Sequence, residues 1–172
     1  RLGVGLNELV IGNGSNELLE FVVRTFMQPG QNAVTSAATF IVYKLATLAC
    51  GHEIREAPLG PDQGYDLDAM AELVDERTRV IFIANPNNPT GTCFGADALN
   101  DFLDRVDARF PADERPIVVL DEAYREYVDL GDYPDAIALW RKRPRTIVMR
   151  TFSKAYGLAA LRCGYAVATA DL

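Results

Sequence analysis

The 172-residue sequence has a deficit of positive charge and no long apolar run. Its 17 lysines and arginines are outnumbered by 24 aspartates and glutamates, and the net charge of −7 argues against nucleic acid or an anionic membrane as the principal partner. No apolar stretch approaches the roughly 18 residues that a membrane-spanning helix needs. A bound anion would therefore have to be held by local geometry.

Cysteine is also scarce. Cys50, Cys93 and Cys163 are odd in number and widely spaced, which matches neither a disulfide framework nor the paired spacing of a metal site. We therefore expect no metal centre and a reducing, cytoplasmic compartment.

What the chain does contain is a regular alternation of short apolar segments and segments with helical spacing, in a composition that is 49% hydrophobic. The strands are expected in Glu8–Gly12, Asn32–Ser36, Arg79–Asn85, Pro116–Ala123, Thr146–Thr151 and Cys163–Thr169. The helices are expected in Asn16–Met27, Phe40–Cys50, Asp66–Glu76, Ala96–Phe110 and Pro134–Arg143. This order predicts an α/β fold with a mostly parallel sheet and helices on both faces. Ligands of such sheets bind beyond the carboxyl ends of the strands.

The first polar cluster, "GNGSNE", joins an expected strand to an expected helix. Its backbone amides and the positive end of the helix dipole can hold a phosphate. The alternative is a tight connection capped by Ser15 or Asn16. The cluster lacks the third glycine of the dinucleotide fingerprint and the Gly-Lys-Ser/Thr of a P-loop.

Two further clusters follow expected strands. In "ANPNNPTG", two prolines and a glycine fix an irregular backbone around Asn85, Asn87 and Asn88, which is more than a plain turn requires. In "VVLDEAYREY", Asp121 ends a strand expected to be buried on both faces, and Tyr124 follows three residues later. Such a carboxylate either caps a helix or meets a cation.

The fourth cluster surrounds Lys154. Thr151 and Ser153 precede the lysine and Arg162 follows it, and hydroxyls with a guanidinium are phosphate ligands. The amine of a lysine can act as a nucleophile. A surface loop with solvated charges is the alternative.

Together the clusters offer an anion cradle, amides, a carboxylate and a lysine, which are the groups that pyridoxal 5'-phosphate requires. In the order "GNGSNE", "NPNNPTG", "DEAY" and "RTFSKAYGLAALRCGYA", the chain resembles the fold-type I aminotransferases, and among them most resembles the histidinol-phosphate aminotransferases. The resemblance implies that residues 1–172 form the cofactor-binding large domain of a pyridoxal-phosphate-dependent transferase.

The resemblance also implies roles for individual residues. Lys154 would hold the cofactor as a Schiff base and move the proton, Asp121 would pair with the pyridinium nitrogen, and Asn88 and Tyr124 would bind the phenolic oxygen. The three catalytic residues are thus Lys154, Asp121 and Tyr124. Phe40 would stack on the ring where relatives usually have tyrosine. The remaining implied residues would hold the phosphate: Gly14, Ser15, Asn16, Thr151, Ser153 and Arg162.

The implied reaction converts histidinol phosphate and 2-oxoglutarate to imidazole acetol phosphate and glutamate, in histidine biosynthesis. Another aminotransferase of the aromatic or aspartate type, or a phosphothreonine-type decarboxylase, is the alternative enzyme. A noncatalytic cofactor-binding fragment is the alternative of a different class. Tyr43 lies on a helix face and is interpreted as a core residue rather than a catalytic one.

Family members carry a preceding segment and a smaller C-terminal domain that supplies an arginine for the substrate carboxylate. Both ends of this chain resemble cut ends, so we expect a fragment that is weakly active or inactive alone. The expected partners are small amino acids and 2-oxo acids, with a homodimer at full length.

Overall fold

The computed structural model describes residues 2–172, in which seven strands form one sheet. In chain order the strands are β1 (Leu9–Asn13), β2 (Asn32–Ser36), β3 (Glu53–Ala57), β4 (Thr78–Ala84), β5 (Ile117–Asp121), β6 (Thr146–Thr151) and β7 (Cys163–Val167). Across the sheet their order is β1-β7-β6-β5-β4-β2-β3. All neighbours from β3 to β6 are parallel, whereas β7 is antiparallel to both β6 and β1. Because β7 alone is reversed, β1 and β6 run in the same direction, and the expected mostly parallel sheet is confirmed.

Five α-helices connect these strands at the expected places, some of them shorter than expected. They are α1 (Ser15–Phe26), α2 (Val42–Ala49), α3 (Leu67–Leu73), α4 (Ala96–Asp107) and α5 (Ala136–Lys142). Aspartates fix two of the starts: Asp66 accepts the Ala69 N–H at 2.8 Å, and Asp135 accepts two N–H groups at the start of α5. Within the described residues, none of the helices has the length and apolar character needed to cross a bilayer.

Helices cover both faces of the sheet, as expected, and each face has its own apolar layer. Along β4, Ile81 and Ile83 pack on the side of α3, α4 and α5, while Val80, Phe82 and Ala84 pack on the side of α1 and α2. Successive strand side chains point to opposite faces, so a strand buried on both sides must be apolar throughout. This is why the central strands were recognisable from the sequence as continuous apolar runs.

Strand β3 was not predicted. It lies at the edge of the sheet and pairs only with β2. Three of its five residues are charged, and Arg55 forms ion pairs with Glu53 and with Asp75. An edge strand bordered by solvent does not need a continuous apolar run, so the pattern that revealed the central strands is missing here.

Candidate active site

The site lies at one edge of the sheet. Parallel strands bring the carboxyl ends of β1, β4, β5 and β6 to this edge, and the reversal of β7 brings its amino end to the same place. In the register, Cys163 is opposite Asn13 and Gly164 is opposite Thr151. Arg162, which directly precedes β7, therefore lies beside the start of α1 and the end of β6.

A cavity of about 110 Å³ opens between these segments. One buried water needs only roughly 10–15 Å³, so the cavity is large enough for part of a small organic ligand. Ten of the eleven residues implied by the resemblance line it: Ser15, Asn16, Phe40, Asn88, Asp121, Tyr124, Thr151, Ser153, Lys154 and Arg162. Residues from six separate parts of the chain are thus brought together.

Gly14 is the eleventh and lies outside the lining. Its N–H donates to the carbonyl oxygens of Gly12 and Arg162, both at 2.8 Å, so this amide is already used within the protein. The residue has a φ of 73°, and an added Cβ would overlap the Arg162 guanidinium. The contribution of Gly14 is therefore the space in which Arg162 lies against the amino end of α1.

One end of the cavity, formed by α1 and the turn after β6, is suited to bind an anion. Ser15 and Asn16 are the first residues of α1, where backbone N–H groups lack helical acceptors and the helix dipole is positive. The Ser153 N–H donates to Thr151 Oγ1 at 3.1 Å, which folds the turn so that both hydroxyl side chains line the cavity. Arg162 adds the positive charge.

At the opposite end, Asp121 is a nearly isolated buried carboxylate. The residue is 4% exposed; Oδ2 accepts the Tyr43 hydroxyl at 2.8 Å and Oδ1 accepts the Ala123 N–H at 3.1 Å. Burial raises the pKa of Asp121 to about 6, even though both hydrogen bonds and the charge of Lys154 favour the ionised form. The carboxylate therefore neither caps a helix nor forms a hydrogen-bonded ion pair here.

Tyr43 was expected only in the core, and the structure adds a second role. Its side chain is fully buried, as expected, but it also lines the cavity and contacts Asp121. The spacing of three residues from Phe40 was the available signal, because residues three apart lie on the same side of a helical turn. Because the rest of that helix face is apolar, the sequence favoured a core position for Tyr43 and not a position in the cavity.

Lys154 and Tyr124 face each other at the rim. The Lys154 Nζ lies 5.1 Å from the centroid of the Tyr124 ring, within the range of a cation–π contact. Asn88 lines the same cavity from the loop after β4. An amine, a phenol and an amide thus line the same cavity as Asp121.

The other two asparagines of the "NPNNP" loop maintain its shape. Asn85 Nδ2 donates to the Phe94 carbonyl at 3.1 Å, and Asn87 Nδ2 donates to Thr90 Oγ1 and to the Ala38 carbonyl, both at 2.8 Å. Both Asn–Pro peptide bonds of the loop are cis. Only Asn88 of the three is directed to the cavity lining.

Glu122, next to Asp121, is neutralised by a residue that sequence reasoning did not single out. Arg150 of β6 donates to Glu122 Oε2 from Nε at 2.8 Å and from Nη2 at 2.7 Å, and both side chains are less than a tenth exposed. Tyr133 also donates to this carboxylate. The pair joins the carboxyl ends of β5 and β6.

These groups match the chemistry of pyridoxal 5'-phosphate. Hydroxyls, helix amides and an arginine suit a phosphate, and a buried carboxylate suits a ring nitrogen that carries a proton. Phe40 supplies an aromatic face and Lys154 an amine. The space left open at Gly14 shows that the backbone is adapted to the position of the arginine. Within residues 2–172, no group of metal-ligating side chains is placed to hold an ion.

The seven-stranded sheet and the helices on both its faces are the fold of the pyridoxal-phosphate-dependent aminotransferases. The family model "Aminotransferase class I and II" matches residues 5–172, so the chain belongs to that family.

Several relatives are histidinol-phosphate aminotransferases. The chain is 50% identical to histidinol-phosphate aminotransferase 2 of Pseudomonas fluorescens over 98% of its own length and 44% of the relative's. It is 47% identical to the Bacillus subtilis enzyme over 99% of its length and 46% of the relative's. The crystal structure of the Sinorhizobium meliloti enzyme in complex with pyridoxal-5'-phosphate superposes with a TM-score of 0.86 at 31% identity, covering 99% of this chain and 44% of that one. The chain thus spans about half the length of these relatives.

The raised pKa of Asp121 predicts a pH dependence of stability. The unfolded carboxyl titrates near about 4 and the folded one near about 6, so folding favours the protonated form. Its stabilising contribution is complete below about pH 4 and is lost as the pH rises to about 6, a change of about 3 kcal/mol. Urea unfolding at a series of pH values should show this decline in the wild type and not in Asp121→Asn.

Asp101→Asn, which removes an exposed carboxyl from α4, is the matched control and should keep the decline. An unchanged decline in Asp121→Asn would assign it to another group.

Proposed function

We propose that this chain binds pyridoxal 5'-phosphate at the sheet edge and carries the cofactor-binding half of a transaminase. The main support for this proposal is that Lys154 and Asp121 line the same cavity as Ser15 and Arg162. Ser15 and Arg162 form the end of the cavity that is suited to an anion. Each group alone is common on protein surfaces. Their arrangement around an aromatic face in one cavity favours a ligand with a phosphate, a basic ring nitrogen and an electrophilic carbon.

When bound, pyridoxal phosphate supplies an aldehyde carbon and a ring that withdraws electrons. Lys154 would hold the cofactor at that carbon through its amine, with the aldehyde oxygen leaving as water, and the amine, once freed by an amino acid, would accept the proton from the substrate Cα. Asp121 holds the proton on the ring nitrogen by its negative charge. Asn88 and Tyr124 would donate to the phenolic oxygen, and Phe40 would lie against the ring.

The groups proposed to hold the phosphate come from separate parts of the fold and line one cavity. The first-turn amides of α1 and the hydroxyls of Thr151 and Ser153 converge with Arg162 on one end of the cavity. Residues 1–172 therefore correspond, in this proposal, to the large domain of the family.

For the substrate, we propose histidinol phosphate as amino donor and 2-oxoglutarate as acceptor, a reaction of histidine biosynthesis. The support is the identity of about half of the residues with relatives that carry this name. An aromatic or aspartate-type donor is the alternative within the family.

We propose further that the working unit is a cytoplasmic homodimer. Large apolar side chains are exposed on and next to α1 and α2, namely Phe21, Ile41, Leu45 and Leu48. Apolar groups gathered on neighbouring helices favour a protein partner. The three cysteines are free thiols, which is consistent with a reducing compartment.

The cofactor proposal predicts a covalent link to one lysine. Mixing the chain with pyridoxal 5'-phosphate should give a visible absorbance band, and borohydride reduction followed by peptide mass spectrometry should place the label on Lys154. Lys154→Ala should abolish both signals, whereas Lys44→Ala, which removes an amine paired with Glu56 on the far strand, should retain them. Labelling of Lys44 or Lys142 in place of Lys154 would contradict the proposal.

The space that Gly14 leaves for Arg162 predicts that two glycine substitutions differ in their effect on pyridoxal phosphate binding. Gly14 and Gly51 have φ of 73° and 79°, so alanine strains the backbone equally at both, but only at Gly14 would the new Cβ meet Arg162. Each variant should lose about 1 kcal/mol of stability from this strain. Gly14→Ala alone should also weaken pyridoxal phosphate binding by roughly tenfold or more, because an arginine–phosphate contact is displaced.

A fluorescence titration of both variants measures this difference. Equal affinities would mean that Arg162 does not bind the phosphate.

The substrate proposal predicts a preference and a dependence on length. The 172-residue chain alone should turn over histidinol phosphate and 2-oxoglutarate poorly or not at all, since the resemblance implies that a C-terminal domain of the family supplies an arginine for a substrate carboxylate, here that of 2-oxoglutarate. Joined to that domain, it should use histidinol phosphate in preference to aspartate or phenylalanine, as steady-state kcat/KM would report. Normal turnover by the chain alone would refute the fragment proposal, and a preference for phenylalanine would favour the aromatic alternative.

A further inference from the structure

A tyrosine that the family motifs do not include makes the closest side-chain contact to Asp121. Tyr43 lies on α2, and its hydroxyl donates to Asp121 Oδ2 at 2.8 Å across a sequence separation of 78 residues. The other carboxylate oxygen accepts the Ala123 N–H. Each carboxylate oxygen thus has one donor, one from α2 and one from the backbone two residues after Asp121.

The Tyr43 hydroxyl has little freedom to move. Its ring stacks on Phe82 with a centroid distance of 5.0 Å and an interplanar angle of 3°, and it meets Phe40 edge-on at 5.6 Å. The residue has no exposed surface. Thr47 Oγ1 also donates to the Tyr43 carbonyl at 2.7 Å, one turn further along α2. Packing on three sides therefore determines where the phenol can donate.

We propose that Tyr43 is a positioning residue whose hydroxyl keeps the Asp121 carboxylate ionised and oriented toward the cavity. The inference rests on the proposed function, because the partner of this carboxylate in the cavity is the ring nitrogen of pyridoxal phosphate.

The charges around Asp121 show why a donor is needed. Burial is the main reason that the pKa of Asp121 rises to about 6, and the adjacent Glu122 raises it further. The Tyr43 hydrogen bond is the largest influence that lowers it, followed by the Ala123 N–H and the charge of Lys154. Tyr65, from the segment after β3, is the other ionisable group whose charge is coupled to Asp121. Without the Tyr43 donor, the balance would move further toward the protonated acid.

A phenol suits this task better than a cation. Burial and the nearby Asp121 raise the pKa of Tyr43 well above its usual value, so the phenol remains a neutral donor. A neutral donor stabilises the carboxylate without cancelling its charge. The full negative charge is then available to a positive group in the cavity. An arginine at this position would compete with that group.

The test compares Tyr43→Phe with the wild type by carbon NMR of labelled aspartate carboxyls, without cofactor, over a pH series. Asp121→Asn identifies the Asp121 signal. Tyr43→Phe keeps the stacked ring and removes only the oxygen, so we expect the pKa of Asp121 to rise by about one unit, a tenfold change in its ionisation constant. Tyr127→Phe, which removes the phenol of a residue that is 64% exposed, is the matched control and should leave the Asp121 pKa unchanged.

A second substitution should shift the pKa of Asp121 in the opposite direction. Tyr43 replaced by 3-fluorotyrosine donates a stronger hydrogen bond, so the pKa of Asp121 should fall. A purely structural role for Tyr43 predicts no shift in either variant, and that result would overturn the inference even if Tyr43→Phe unfolds more easily.

Titration with pyridoxal 5'-phosphate then relates the shift to binding. Tyr43→Phe should bind several-fold more weakly than the wild type at pH values below neutral, and the two affinities should converge as the pH rises above the shifted pKa. A loss of affinity that is the same at every pH would overturn the inference. If the wild type itself fails to bind, the proposed function fails, whereas the NMR shift still decides whether Tyr43 controls Asp121.

Discussion

The site depends on the alignment of strand ends at one edge of the sheet. Six strands share a direction, so the loops that follow them extend from the same edge, and the single reversed strand adds a residue that precedes it rather than one that follows it. If β7 were parallel, Arg162 would lie at the far edge of the sheet. The direction of one strand thus decides whether the positive charge meets the amino end of α1.

At this edge of the sheet, the adjacent carboxylates of Asp121 and Glu122 have different surroundings. Glu122 forms an ion pair with Arg150 through two close contacts, whereas Asp121 receives hydrogen bonds only from neutral donors. Consecutive residues at a strand end point to opposite sides of the sheet, so one carboxylate can join β5 to β6 while the other faces the cavity. A buried charge without a counter-ion is unfavourable to folding. Its presence beside an arranged cavity therefore favours a role in binding.

Much of the architecture could be predicted because burial on both faces forces an apolar run. Strands β4, β5 and β6 show that run, and the polar residues at their ends mark where it stops. Edge strand β3 has no such requirement and was missed. Residues that act through long-range contacts were also missed: Tyr43 meets Asp121 across 78 residues, and Arg150 meets Glu122 across 28. Local patterns carry no information about such pairs, since helix packing and strand order bring them together.

The backbone conformation of Arg162 connects the fold to the candidate site. Arg162 has φ of 48°, a left-handed conformation that costs a non-glycine residue roughly 1–2 kcal/mol. Glycine would avoid that cost but has no guanidinium. Position 14 also has a positive φ, but it is occupied by glycine, and the absence of a side chain there leaves room for Arg162. An arginine in this conformation is hard to explain by stability alone, because a glycine at position 162 would relieve the strain. The arrangement is consistent with a requirement for positive charge at the amino end of α1, which is where a phosphate would bind.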